Sequence, residues 1–172
     1  FLPTLALAEA GSVLAGQAVG ADEDGLVPRI ARLGLAAAAL YTGVCTLGFT
    51  LLGRPIVACF TDDPALAATA LGLLRVAAVF QVADGAAAVA RGVLRGAGDV
   101  RVPAMLGIAC AWVCTPPLAW LLGREAGLGA VGGWIGLCAE ILLLAAVCWV
   151  RLERGAWLPH AERSRERLRE LD

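Results

Sequence analysis

Five long apolar runs dominate the sequence. They cover residues 1–19, 33–52, 65–94, 102–122 and 128–150. The hydrocarbon core of a bilayer is about 30 Å thick, and a helix needs about twenty apolar residues to cross it. The runs are rich in Ala and Leu and do not alternate with polar residues, which excludes a β-barrel. We therefore predict an all-α fold, a polytopic transmembrane bundle of about five spanning helices.

The composition supports a membrane protein over a soluble one. Hydrophobic residues make up 59% of the chain and charged residues only 17%, whereas soluble domains carry about 25% charged residues. Polar residues also cluster in short strips between the runs. No basic face with interleaved aromatic residues is present, so we expect the lipid bilayer as a partner and no nucleic acid.

The segments between the runs carry turn and capping signals. Residues 20–25, 95–99 and 123–127 are rich in Gly and charged residues, and we expect each to separate two helices. The segment Thr61-Asp-Asp-Pro64 is typical of a helix N-cap, and we expect it to open the third helix. We divide the chain into a membrane domain, 1–154, and a charged tail, 155–172. Because the chain begins inside an apolar run, we expect it to be the C-terminal part of a longer protein.

The arginines are distributed unequally between the two sides of the predicted bundle. Lys is absent, so Arg alone carries the positive-inside signal, which keeps basic loops in the cytoplasm. Eleven arginines fall on one side, and they are Arg29, Arg32, Arg91, Arg95, Arg101, Arg151, Arg154, Arg163, Arg165, Arg167 and Arg169. The other side has Arg54 and Arg124, and Arg75 falls within a span. We therefore predict a cytoplasmic C-terminus.

Asp84 is the polar residue that most strongly indicates function. It falls well within the third apolar run, where an ionisable side chain is costly and is usually functional. Gln81 is three residues earlier, on the same helical face, so the two side chains can present oxygen ligands together. We predict that they form a cation-coupling site, in which Asp84 binds a proton or Na⁺ in one conformation and releases it in another.

Three further ionisable residues lie within the predicted spans. Arg75 is nine residues before Asp84 and faces the opposite way, so the two are not partners within the helix. Arg75 is expected to pair with a carboxylate elsewhere or to extend toward the interface. Glu9 and Glu140 either face a central cavity, where acidic groups attract cationic substrates, or pair with Arg75.

Glycine, proline and cysteine in the runs indicate packing. Gly129 with Gly133, and Gly132 with Gly136, have the spacing that lets helix backbones approach. The pair 116–117 is Pro-Pro and is expected to bend the fourth helix. Most of the six cysteines lie in apolar runs, where Cys acts as a small hydrophobe. No zinc set is complete, and we predict no metal site and no cofactor.

A membrane-bound enzyme is an alternative that the spacing disfavours. Asp84-Gly85 followed by Ala90-Arg91 is similar to the core of the CDP-alcohol phosphotransferases. Four residues separate Gly85 from Ala90 where that core has two, and only Asp99 follows nearby. Two-metal catalysis requires several converging carboxylates, so we predict that the chain is not an enzyme.

The order of motifs resembles the MATE (multidrug and toxic compound extrusion) family, and its NorM-like members in particular. The matching segments are 11–21, 54–64 and 81–99, and the last ends in Leu94-Arg-Gly-Ala-Gly-Asp99 before Pro103. The resemblance implies helices eight to twelve of a twelve-helix, two-lobe antiporter. It also implies a role in cation coupling for Asp84, whereas Glu9 matches no family position that carries a role.

This resemblance implies a secondary-active efflux transporter in the plasma (inner) membrane. Such a protein exchanges small organic, cationic drugs or toxic compounds for protons or sodium ions. Its partner would be the missing N-terminal lobe of the same protein. The alternative of related architecture is a flippase for lipid-linked sugars, and a third is a truncated membrane subunit that does not transport.

Overall fold

The computed structural model of the protein describes residues 2–170, and within them every regular element is helical. Five helices are long and apolar enough to cross a membrane, which confirms the predicted all-α bundle of about five spans. The elements are α1 (Leu2–Gly20), α2 (Leu26–Ala58), α3 (Pro64–Gly96), α4 (Arg101–Trp120), a π-helical segment (Leu121–Glu125), α5 (Gly129–Glu153) and α6 (Leu158–Arg169).

The bundle has two ends with different content. At the end that we call the tail end, α1, α3 and α5 finish, α2 and α4 begin, and α6 follows α5. At the opposite end, the far end, α2 leads into α3 and α4 leads into α5. Helices α2 and α3 have 33 residues each, which is about 50 Å at 1.5 Å per residue. They extend beyond the predicted apolar runs because their terminal turns carry polar residues that still form helix.

The predicted N-cap of α3 is confirmed. The Asp63 carboxylate accepts a hydrogen bond from the Ala65 backbone N–H at 2.8 Å, and Pro64 occupies the first helical position. The Asp63 N–H in turn donates to the Thr61 hydroxyl at 3.1 Å. Because Pro has no N–H to satisfy at a helix start, this sequence begins a helix at low cost.

The link between α4 and α5 differs from the prediction in its first half. Residues 121–125 continue as a π-helical segment, and the chain turns only afterwards, with Gly127 at φ +70° and Gly129 at φ +55°. Pro116 and Pro117 lie inside α4, one turn before this segment. The two missing N–H donors therefore loosen α4 just before its hydrogen bonding widens.

Helix α3 is central, since it packs against α1, α2 and α5, while α4 packs mainly against α5. Small residues make the closest contacts. A Cβ on Gly92 or Gly96 of α3 would overlap the α1 backbone at Ala8 and Ser12. This close approach is the reason that α1 and α3 bury their shared face without large side chains.

The predicted glycine spacing in α5 is right for one pair and wrong for the other. A Cβ on Gly132 would overlap the backbone at Leu122, and one on Gly136 would lie 3.1 Å from the Ala119 nitrogen. Gly129 and Gly133 would meet nothing within 4 Å. Only the face that carries Gly132 and Gly136 turns toward α4, so periodicity alone did not distinguish the two faces.

Candidate functional site

Asp84 lies at mid-height on the central helix. Gly72 of α3 faces Val131, the third residue of α5. Gly72 therefore lies at the level where α5 begins, at the far end. Asp84 is twelve residues from Gly72 and twelve from the end of α3 at Gly96, about 18 Å each way. The side chain is half-buried. Asp84 therefore lies far from both the start of α5 and the end of α3.

A groove of about 490 Å³ runs between α1, α3 and the start of α4. We call it the α1–α4 groove, and it is lined by α1 around Leu5 to Glu9, by α3 from Ala88 to Arg95 and by α4 around Pro103 to Ile108. Ala88, Arg91 and Arg95 are four, seven and eleven residues after Asp84, so they share one face of α3 with it. Asp84 therefore lies one turn beyond the groove wall, on the side of the far end.

The charged residues that line the groove are Arg91, Arg95, Glu9 and the buried Asp99. Arg95 pairs with Glu9 at 2.7 Å and extends its Nε to 3.4 Å from the Ser12 hydroxyl. Arg91 donates to the Ala87 carbonyl at 3.3 Å. Because Glu9 neutralises Arg95, the net positive charge of the groove is smaller than its two arginines suggest, and a cation entering it meets less repulsion.

Gln81 bonds to α2, whereas its spacing predicted a site shared with Asp84. Its amide nitrogen donates to the Thr46 hydroxyl of α2 at 2.9 Å, and that hydroxyl donates to the Ala78 carbonyl at 2.8 Å. Among residues 2–170, no hydrogen bond joins Gln81 to Asp84. Residues three apart are separated by about 60° around the helix, which is enough for Gln81 to reach α2 while Asp84 faces the groove side.

Glu140 and Arg75 lie apart from this face. Glu140 is 8% exposed and accepts a hydrogen bond from the Thr115 hydroxyl, which joins α4 to α5. Arg75 is exposed near the far end and lies beside Arg54. The predicted alternative that Arg75 pairs with Glu9 or Glu140 is wrong, because Glu9 pairs with Arg95 and Glu140 faces α4.

Sequence reasoning missed a buried ionic cluster at the tail end. Asp99, fully buried in the loop between α3 and α4, forms an ion pair with the Arg151 side chain at the end of α5. His160 of α6 has its Nε2 at 3.9 Å from the other Asp99 oxygen, and Arg151 also donates to the Ala156 carbonyl at 3.2 Å. The sequence signal for this cluster was Arg151, which lies at the end of the most apolar helix, where an unpaired charge would be costly.

The cluster also fixes the tail. Trp157 is buried and donates its indole N–H to the Leu152 carbonyl at 3.1 Å, and Gly98, at φ +88°, approaches the His160 backbone. Arg165 pairs with Asp22 and with Asp24 of the loop between α1 and α2. The predicted charged tail therefore forms a polar helix that packs against the tail end of the bundle.

Comparison with known proteins shows which proteins this sequence is similar to. The family model described as MatE matches residues 1–121. The "Probable multidrug resistance protein NorM" of Pseudomonas aeruginosa is 36% identical over 159 residues, which is 87% of this chain and 33% of that protein. Its namesake in Deinococcus radiodurans is 37% identical over 83% of this chain and 33% of its own length.

The "Multidrug resistance protein NorM" of Burkholderia vietnamiensis is 34% identical, over 86% of this chain and 33% of its own length. The chain therefore spans about a third of the length of the curated relatives that it matches. No solved structure matches it. The matched residues include all of α1 to α4, and with them Asp84 and the α1–α4 groove.

Proposed function

Because this chain belongs to the MatE family, we propose that the whole protein is a secondary-active efflux transporter that exchanges cationic drugs or toxic organic compounds for protons or sodium ions. The relatives are named as multidrug resistance proteins, which supports the efflux activity. The family consists of transporters, so the prediction that the chain is not an enzyme is confirmed.

The observation that carries the proposal is the position of Asp84. It is a half-buried carboxylate midway between Gly72 and the end of α3, on the face that continues into the α1–α4 groove. An ionisable group at this depth has a cost that its function must offset. We assign Asp84 as the residue that binds the coupling ion, and Gln81 as a residue that positions α3 through its bond to Thr46.

The proposed cycle follows from differential affinity. Binding of a proton or Na⁺ neutralises Asp84, and it favours whichever arrangement of the two lobes leaves that side chain least hydrated. Drug binding favours the opposite arrangement of the two lobes. The other wall of the path would come from the N-terminal lobe, with rocking of the lobes about the midplane.

We also propose the orientation. The tail end carries eleven of the fourteen arginines, and the positive-inside rule assigns that end to the cytoplasm of a cell with this protein in its plasma (inner) membrane. The far end then faces outward, so drug release takes place at the end where α2 joins α3.

The test is transport by the full-length protein in proteoliposomes, with a fluorescent cationic dye and an imposed proton or Na⁺ gradient. We expect Asp84→Asn to reduce gradient-driven dye movement to the leak of empty liposomes, because the amide binds neither ion as a carboxylate does. Glu140→Gln is the matched control, since it removes a buried carboxylate that lies away from the groove. Equal transport by wild type and Asp84→Asn would remove Asp84 from the mechanism.

A further inference from the structure

Two arginines at the far end share one cavity. Arg54, near the end of α2, and Arg75, in the fourth turn of α3, both line a space of about 360 Å³. The helices meet here through Gly53, whose Cβ would lie 3.2 Å from Leu74 and 3.5 Å from Leu71. Arg54 and Arg75 therefore directly follow, in the sequence, the residues of a tight helix contact.

No described carboxylate neutralises this pair of arginines. The ion pairs found in residues 2–170 are Glu9–Arg95, Arg32–Glu153, Arg151–Asp99 and those of Arg165 with Asp22 and Asp24. At the far end, the Asp63 carboxylate is occupied in capping α3. Both arginine side chains are exposed, so an anion from outside the chain can reach them.

The pair of arginines lies at the far end of the bundle, near the start of α5. Arg75 is three residues from Gly72, and Gly72 faces Val131 near the start of α5. The cavity therefore lies near the level of the link between α4 and α5. The far-end part of α4 also carries Trp120 with the Arg124 guanidinium 4.5 Å above its ring, an arrangement typical of a membrane interface. Next to the cavity, Leu51 is 70% exposed and offers an apolar surface to an acyl chain.

We infer that Arg54 and Arg75 form a binding site for a phosphate group, supplied by an anionic lipid headgroup or by a free phosphate anion. The planar guanidinium presents two parallel N–H donors and binds phosphate oxygens in a bidentate manner. Two such groups from different helices enclose one phosphate and so join α2 to α3. The site is independent of Asp84 and of the proposed transport.

The test measures ligand-dependent thermal stabilisation of the full-length protein in detergent. Phosphatidylglycerol, phosphatidylcholine and inorganic phosphate are titrated separately at constant ionic strength. The variant Arg54→Gln/Arg75→Gln removes the site, and Arg154→Gln/Arg163→Gln removes the same charge at the tail end. We expect the first variant to bind phosphatidylglycerol about tenfold more weakly or worse, as befits the loss of charged hydrogen bonds, and the second to bind it like wild type.

The separate ligands distinguish the source of the phosphate. Stabilisation by phosphatidylglycerol alone, lost in the Arg54→Gln/Arg75→Gln variant, identifies a lipid headgroup site. Stabilisation by inorganic phosphate, lost in the same variant, identifies a site for a free anion. The single variants Arg54→Gln and Arg75→Gln serve if the double variant does not fold, and each should weaken binding severalfold. Unchanged affinity for both phosphate ligands in these variants overturns the inference.

Discussion

The tail end and the far end of the bundle use charge in opposite ways. At the tail end, four arginines form ion pairs: Arg32 with Glu153, Arg95 with Glu9, Arg165 with Asp24, and Arg151 with the completely buried Asp99. At the far end, the arginines Arg54 and Arg75 share a cavity without a described acidic partner. The far end instead exposes large apolar side chains along α2 and the start of α3.

This difference indicates which end holds the bundle together. Most of the fully buried side chains, including Leu94, Leu152 and Trp157, surround the paired charges at the tail end. The packed core strengthens the buried pair of Asp99 with Arg151, because its surroundings are apolar. The far end depends on helix contacts through small residues and, by our inference, on a bound phosphate. Loss of the buried Asp99 pair should therefore cost more stability than loss of an exposed charge at either end.

The largest expected effect is that of Asp99→Asn. The substitution keeps the shape of the side chain but leaves Arg151, whose side chain is only 19% exposed, without its counter-charge. Breaking a buried pair costs about 3–5 kcal/mol, and we expect the free energy of unfolding to fall by about 3 kcal/mol because Arg151 keeps some contact with water. Unfolding of the full-length protein in mixed micelles, followed by circular dichroism, measures the change.

The matched control is Glu153→Gln at the same end of α5. Glu153 pairs with Arg32 at 2.7 Å, but both side chains are largely exposed, and exposed pairs contribute little. We expect no measurable loss of stability from this variant. If Asp99→Asn and Glu153→Gln have equal effects, burial does not determine the strength of the tail-end pairs, and the contrast between the two ends loses its explanation.

A smaller effect is expected from two adjacent glycines in the far-end half of α5. Gly132→Ala introduces a Cβ that overlaps the α4 side of the link at Leu122, whereas Gly133→Ala places its Cβ in open space. Overpacking costs about 1–3 kcal/mol, and Ala in place of an unconstrained helical Gly gains up to about 1 kcal/mol. Gly132→Ala should therefore lower the thermal midpoint and Gly133→Ala should maintain or raise it. A similar loss in both would show that glycine acts here through flexibility and not through packing.

The two glycines also show how far sequence reasoning reaches in this molecule. The five spans and the cap at Asp63 follow from hydropathy and local hydrogen bonding, which are properties of contiguous residues. The choice between the Gly132 and Gly133 faces depends on where α4 lies, and that is a long-range property. The same limit explains why Glu9 was considered as a partner for Arg75, when the approach of α1 to α3 at Gly92 and Gly96 brings it to Arg95.

Asp84 and Asp99 illustrate the same limit for the site. The single carboxylate in the third apolar run directed attention to Asp84, and its depth on α3 agrees with the role that we propose. Asp99 lies outside every apolar run, so it was interpreted as part of a turn. Only the folded chain brings it to Arg151, 52 residues later in the sequence.

The smallest expected effect concerns the attachment of α6. The guanidinium of Arg165 donates hydrogen bonds to Asp24 at 3.0 Å, and this contact raises the pKa of Arg165 above its ordinary value. A raised pKa gives stability that is fully present below the unfolded pKa and is lost only as pH rises through the folded one. The Arg165 contact should therefore be constant between about pH 6 and 9 but weaken in about 1 M salt, where charges are screened within about 3 Å.

Limited trypsin digestion of the tail should accelerate severalfold in salt and in Arg165→Gln, with no further acceleration by salt in that variant. A wild-type to Arg165→Gln ratio of digestion rates that depends on pH in this range, or an equal response to salt in wild type and variant, would show that contacts other than Arg165 with Asp24 hold α6 to the tail end.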